Sequence, residues 1–216
     1  WPDEATLVGA DLHFEKSSSF ARRGSLLPPY DTAVTLARLE ADTAALSPAR
    51  VISLGDAFHD PFAAERLDED ARARLARLQA DRAWIWIDGN HDRATRAPIG
   101  GERREDLTIG PLVFRHEPTR GAVGEISGHL HPAARVKVAS GTVRRRCFAA
   151  DGARLILPAY GSLAGGLDVA SPAFAGLLST ARLTVHLLGA ARVHAMPART
   201  VIGLSRDGTG RRPASR

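Results

Sequence analysis

Cysteine is nearly absent from this 216-residue chain; Cys147 is the only one. No internal disulfide can form, and no metal site can be built on thiolates. That usage suits a reducing, cytoplasmic setting. Long apolar runs are missing too. No stretch approaches the length that crosses a bilayer, so no membrane role is expected. No signal peptide is visible, and a start at Trp1 in place of Met reads as a trimmed beginning. There is no internal repeat. The glycine-rich stretch from Pro158 to Leu167 lacks the spacing of a nucleotide-binding fingerprint.

What is present fits one domain of good size better than two small ones. The net charge of +5 is compatible with a polyanionic partner. It is a weak pointer, because part of the excess lies in Ser205 to Arg216. That segment is polar and basic and cannot bury enough apolar surface to order itself, so residues 1–204 are expected to form the domain and 205–216 a disordered tail.

Three apolar runs share one design. Trp84-Ile85-Trp86-Ile87 reads as a buried strand, stopped by the turn dipeptide Asp88-Gly89 and followed by Asn90-His91-Asp92-Arg93. Thr6 to Ala10 runs into Asp11-Leu12-His13, whose first and third residues point the same way in an extended chain and can converge on one ion. Arg50 to Leu54 ends in Gly55-Asp56-Ala57-Phe58-His59-Asp60. Between these strands, Asp31 is a plausible N-cap of a helix whose face is Val34, Ala37, Ala41 and Ala44. Leu67, Ala71, Leu75 and Leu78 mark a second helix. Strands alternating with helices imply an α/β fold with a parallel sheet, which binds ligands beyond the carboxyl ends of its strands.

The segment Phe14 to Gly24 is too polar for a core element and reads as a loop. With Lys16, Arg22 and Arg23 it could hold a phosphate, or it could be a solvated basic loop. Arg93 to Asp106 reads as a loop or short helix. The second half is rich in strands: Leu107-Thr108-Ile109, Leu112-Val113-Phe114, a hairpin turning at Ser140-Gly141, Leu155-Ile156-Leu157, and two late strands near 182–188 and 193–196. Basic residues alternate along the hairpin from Arg135 to Arg146, which fits an ordinary solvated face better than a positive face for substrate.

Six of the eight histidines, His13, His59, His91, His116, His129 and His131, fall at or just beyond strand ends. With Asp11, Asp56 and Asn90 they supply enough nitrogen and oxygen donors for two metal ions. Without thiolates, such a set suits Mn²⁺, Fe, Co²⁺ or Zn²⁺ better than Cu⁺, and Ca²⁺ would want more oxygen.

Asp11-Leu12-His13, Gly55-Asp56, Gly89-Asn90-His91-Asp92, His116 and Gly128-His129-Leu130-His131 stand in the order and rough spacing of the calcineurin-like metallophosphoesterases, which the chain resembles over more than half its length. The segment from Asp11 to Thr32, and Leu157-Pro158-Ala159-Tyr160-Gly161, resemble more narrowly the bacterial DNA ligase-associated metallophosphoesterases. The resemblance implies an αββα sandwich of two packed sheets flanked by helices. It implies one metal on Asp11, His13, Asp56 and His131, and a second on Asp56, Asn90, His116 and His129, with Mn²⁺ expected first. His91 would be the acid or transition-state stabiliser. His59 departs from the Asp that phosphoprotein phosphatases place there, is similar to the calcineurin-like repair nucleases, and would be catalytic with His91. Asp60 and Asp92 would support these histidines, and Lys16, Arg22, Arg23 and Arg93 would bind substrate.

The implied activity is phosphodiester hydrolysis, with single-stranded DNA as substrate in DNA repair and with ligase, helicase and nuclease partners. Two cations roughly 3.5–4 Å apart neutralise a phosphodiester, lower the pKa of a shared water and stabilise both entering and leaving oxygens. The rivals are a small-molecule phosphoesterase on the same site (a phosphomonoesterase or a nucleotide or lipid-precursor pyrophosphatase) and a non-catalytic scaffold.

Overall fold

The computed structural model describes residues 1–92 and 99–204. In chain order, its strands and helices begin with β1 (Thr6–Ala10), α1 (Lys16–Ala21), α2 (Asp31–Leu46), β2 (Arg50–Leu54), α3 (Ala63–Arg66), α4 (Glu69–Gln79) and β3 (Ala83–Ile87). Strands then follow without further α-helix among the described residues: β4 (Glu102–Arg104), β5 (Asp106–Ile109), β6 (Leu112–Arg115), β7 (Glu125–Ser127), β8 (Pro132–Val138), β9 (Gly141–Ala150), β10 (Arg154–Ile156), β11 (Leu167–Asp168), β12 (Thr184–Leu188) and β13 (Val193–Pro197).

The three apolar runs become neighbours in one parallel sheet of order β1-β2-β3-β4. Its fourth strand occupies part of the charged segment expected to be loop or helix. Glu102, Arg103 and Arg104 are all exposed and gain their strand only by pairing with Ile85, Trp86 and Ile87. A short charged edge strand of this kind also blocks further pairing.

The second sheet has the order β11-β8-β9-β10-β7-β6-β5, with β12 on β9 and β13 on β12. The long strand β9 makes this possible: residues 141–146 pair with β8, and residues 147–150 pair with β12.

Burial divides into three apolar layers. Phe14, Leu36, Leu39, Phe58, Leu75, Trp84 and Trp86 pack the helices onto the first sheet. Ala10, Ile52, Leu54, Ile87, Phe114 and Leu157 fill the space between the sheets. Val136, Cys147, Phe174, Leu178, Val185 and Val201 cover the far face of the second. Two packed sheets flanked by helices are therefore present, as expected. The far layer is thin, built from irregular chain and a 3₁₀ turn at Pro172–Phe174. No helix among the described residues is long and apolar enough to cross a membrane.

Two local expectations fail for identifiable reasons. The segment after His13 is not all loop, because Asp31 accepts hydrogen bonds from the Ser17 N–H (3.1 Å) and from the Ser17 hydroxyl. An orphan N–H of a first helical turn is thereby satisfied from outside, and α1 forms. In α2 the anticipated face of Val34, Ala37, Ala41 and Ala44 is exposed, whereas Thr32, Thr35, Leu36, Leu39 and Thr43 are buried. The threonines bury because their hydroxyls find partners: Thr32 donates to Glu15 Oε1 (2.9 Å), Thr35 accepts from the Ser162 N–H (3.1 Å), and Thr43 donates to the Leu39 carbonyl (2.7 Å).

Candidate metal centre

Parallel pairing puts the ends of β1, β2 and β3 side by side. The turns that follow are bent to turn polar side chains inward. Among the described residues, eight non-glycine residues have left-handed backbones, and five of them are Asp11 (φ 54°), His13 (46°), Asp56 (45°), His129 (67°) and His131 (47°). Such conformations are costly for residues with a Cβ and persist where surrounding structure imposes them. Two glycines allow the close approach. A Cβ on Gly55 would lie 2.2 Å from His116 Nδ1, and one on Gly89 would lie 2.2 Å from the Asp56 amide nitrogen.

The convergent side chains form two groups of three donors each, Asp11 with His13 and His131, and Asp56 with His116 and His129. In the first, His131 Nε2 lies 3.2 Å from Asp11 Oδ1 and 3.3 Å from His13 Nε2. In the second, His116 Nε2 lies 3.5 Å from Asp56 Oδ1 and 3.1 Å from His129 Nδ1. The groups adjoin: Asp11 Oδ2 accepts from the His129 N–H at 2.9 Å, and Asp11 Oδ1 lies 3.8 Å from His116 Nδ1.

The donor set fits metal ions on three counts. Asp11 Oδ1 is buried and has no hydrogen-bond partner, which is costly unless a cation or donor meets it. His116 Nδ1 sits 3.0 Å from the Leu54 carbonyl, which accepts its N–H and leaves the Nε2 lone pair facing the cluster. His13 is pushed down to about 2, by burial first and by His131 and Lys16 after it, so its imidazole is neutral and ready to ligate. His129 is also lowered, by burial and by His116.

The remaining expected residues surround these groups. Asn90 is exposed at the turn after β3 and lines a cleft with His116 and Glu117. His91 is 45% exposed; its backbone N–H donates to Asp56 Oδ1 (3.1 Å), and its Nε2 lies 3.8 Å from Asp56 Oδ2. His59 stacks between Phe20 (5.6 Å) and His91 (5.5 Å). Burial, Lys16 and His91 push it down to about 4. Lys16 is half-buried and lowered by burial, and its charge is felt by His13 and His59. Arg22 and Arg23 are exposed on the turn after α1. Arg93 lies outside the described residues.

Asp92 is buried and locks two turns together. Its Oδ2 accepts from the N–H groups of Ala57 (3.1 Å) and Gly89 (3.2 Å), and its Oδ1 from Phe58 (3.1 Å). Burial nevertheless raises its carboxyl to about 6. Asp60 does its hydrogen bonding away from the histidines. Arg66 holds it at 2.5 and 3.0 Å, and the Phe62 N–H at 2.9 Å. Burial would raise this carboxyl, but those bonds keep it well below the usual range.

Arg66 is one residue that sequence reasoning misses. Arg146 is another. It donates to the carbonyls of Ala159 (3.1 Å), Gly161 (3.0 Å), Ser162 (3.3 Å) and Ala164. The loop it gathers docks on the first ligand turn, with Tyr160 N–H on the Ala10 carbonyl (2.8 Å) and Gly161 N–H on the Asp11 carbonyl (3.1 Å). The Leu157 to Gly161 motif thus backs the Asp11 turn.

Fold and centre together are consistent with a calcineurin-like metallophosphoesterase related to the DNA ligase-associated group. The chain is similar to the nuclease MPE of Pseudomonas putida, with 29% identity over 91% of this chain and 90% of that one and a TM-score of 0.67. It is also similar, more distantly, to Yfce, a phosphoesterase from E. coli, with 13% identity over 91% and 96% of the two chains and a TM-score of 0.40. No family model and no curated protein matches it.

Proposed function

We propose that this chain is a metal-dependent phosphodiesterase, and that its substrate is DNA. The observation that carries the first part is the pair of adjoining donor groups around the buried Asp11 Oδ1, which makes no hydrogen bond and faces the imidazoles of His131 and His116. Asp11, His13 and His131 would hold one divalent cation. His116, His129 and Asn90 would hold a second, with Asp56 shared between them. Mn²⁺ is the ion we expect, ahead of Fe, Co²⁺ or Zn²⁺. When bound, such cations supply the positive charge that a phosphodiester needs to accept a nucleophile.

The chain's own residues do the rest. His91 projects from the turn that also binds Asp56, and is exposed enough to meet a substrate. There it would hand a proton to the leaving oxygen. His59, stacked on His91, would fix that ring. Lys16 would bind a non-bridging phosphate oxygen. DNA as substrate, and a role in repair, are supported by the likeness to a nuclease at 29% identity and by the basic residues Lys16, Arg22 and Arg23 beside the centre.

Metal-stripped protein, reloaded with one metal at a time, tests this reading on bis-p-nitrophenyl phosphate, p-nitrophenyl phosphate and linear and circular single-stranded DNA. We expect metal-dependent cleavage of the diester and of DNA, and little of the monoester. Preference for the monoester would point to the small-molecule rival.

A further inference from the structure

Beside the edge strand β1 lies a cavity of about 650 Å³. Its floor is apolar, with Val8, Phe148, Leu157 and Leu188. Its rim carries Arg38, Arg145 and Arg146 against a single carboxylate, Asp42. That carboxylate is engaged, accepting from the Tyr160 hydroxyl at 2.6 Å. Among the described residues no carboxylate forms an ion pair with Arg38, Arg145 or Arg146. Arg38 lies 5.3 Å over the Tyr160 ring and donates to the Tyr160 carbonyl at 2.7 Å. Arg145 is exposed, and the bond it makes is to the carbonyl of Arg144.

The cavity connects to the metal centre through the same loop. Arg146 holds Ser162; the Ser162 hydroxyl donates to the Asp31 carbonyl (3.0 Å); and the Asp31 carboxylate holds the first turn of α1, where Lys16 stands. This chain of contacts links the cavity rim at Arg146 to the turn of α1 that carries Lys16 beside the centre, with Asp31 between them.

We infer that this cavity is a second contact for single-stranded polynucleotide, holding the strand that continues beyond the scissile phosphate. The inference rests on the phosphodiesterase reading above. Guanidinium groups that no carboxylate neutralises, around an apolar and aromatic floor, suit a single strand: Arg38 and Arg145 can meet its phosphates while the floor receives its bases. A concavity of this size takes a nucleotide-scale group but no double helix.

The test uses the metal-loaded protein and phosphorothioate oligothymidylates, which resist hydrolysis, of about fifteen and about three nucleotides. Arg38→Gln/Arg145→Gln should weaken the long strand by roughly tenfold at low salt and the short strand little. It should lower the salt slope for the long strand by about 0.7 for each lost phosphate contact. Asp42→Asn, which removes the one negative charge on the rim, should tighten the long strand, and this opposite sign keeps the test alive if the double variant does not fold. Equal losses for both lengths, an unchanged slope, or no tightening by Asp42→Asn would overturn the inference. Wild-type protein that cleaves bis-p-nitrophenyl phosphate but binds neither oligonucleotide would overturn DNA as substrate itself, and this contact with it.

Discussion

Asp56 and His91 are joined twice: the His91 backbone N–H donates to Asp56 Oδ1 at 3.1 Å, and the His91 ring nitrogen Nε2 lies 3.8 Å from Asp56 Oδ2. The carboxylate proposed to be shared by two cations thus also sets the place of the proposed acid. On that proposal one side chain would tie ligation to proton transfer.

His91→Ala separates those roles, because it keeps the backbone N–H that holds Asp56. Metal content should stay at the wild-type level while the rate falls by roughly 10²–10⁴-fold. The loss should shrink for p-nitrophenolate leaving groups, which need no proton. Equal losses for p-nitrophenolate and alkoxide leaving groups would count against the acid role.

Asp56→Asn acts on both. Without the shared charge, the chain should bind less metal, as measured by elemental analysis after gel filtration, and hydrolysis should fall by several orders of magnitude. A variant with two bound ions and near-wild-type turnover would show that the ligand assignment is wrong.

Asp92→Ala should destabilise the fold. It strands the N–H groups of Ala57, Phe58 and Gly89 in a buried place, and leaving such groups unmade costs about 1–3 kcal/mol each where no water replaces the acceptor. Chemical denaturation should show a lower midpoint. Metal affinity should fall as well, since Asp92 holds the turn that carries Asp56. A fully stable variant with weakened metal binding would remove the first claim and keep the second.

Acid should weaken the metal-free protein. His13 and His59 have folded pKa values of about 2 and about 4, below the ordinary value of 6.5, so the unfolded chain binds more protons as pH falls below about 6.5. Their contribution is complete above that pH and is lost toward 4 and below. Asp92, raised to about 6, works in the opposite sense: its contribution is present below about 4 and lost as pH rises through 6. Two histidines oppose one carboxyl, so the urea midpoint should be lower at about pH 5 than at about pH 7. A midpoint that rises on acidification would contradict this sum.

How far the sequence carries depends on what each residue answers to. Strands β1, β2 and β3 were legible because each is a short apolar run stopped by a turn, and the histidines at their ends stood out by position. The apolar face of α2 was misread because burial there follows hydroxyl partners such as Thr35 with Ser162, which lie far apart in the chain. Helix α1 and strand β4 form through distant contacts, with Asp31 and with β3, that no local pattern announces. Arg66 and Arg146 look like surface arginines until the fold brings Asp60 to one and four loop carbonyls to the other.

The proposed DNA substrate rests in part on the basic residues beside the centre. Neutralising Lys16, Arg22 or Arg23 should flatten the salt dependence of DNA binding by roughly 0.7 log units per tenfold in salt for each phosphate contact removed on a single strand. A slope that stays at the wild-type value in all three variants would detach these residues from DNA.

The central claim is that adjoining donor groups hold two catalytic cations. Its most direct measurement is a titration of metal-stripped protein with Mn²⁺, following bound metal and bis-p-nitrophenyl phosphate turnover together. The account predicts two ions per chain and activity that appears as they bind. Full turnover by the stripped protein, or saturation at a single ion, would contradict it.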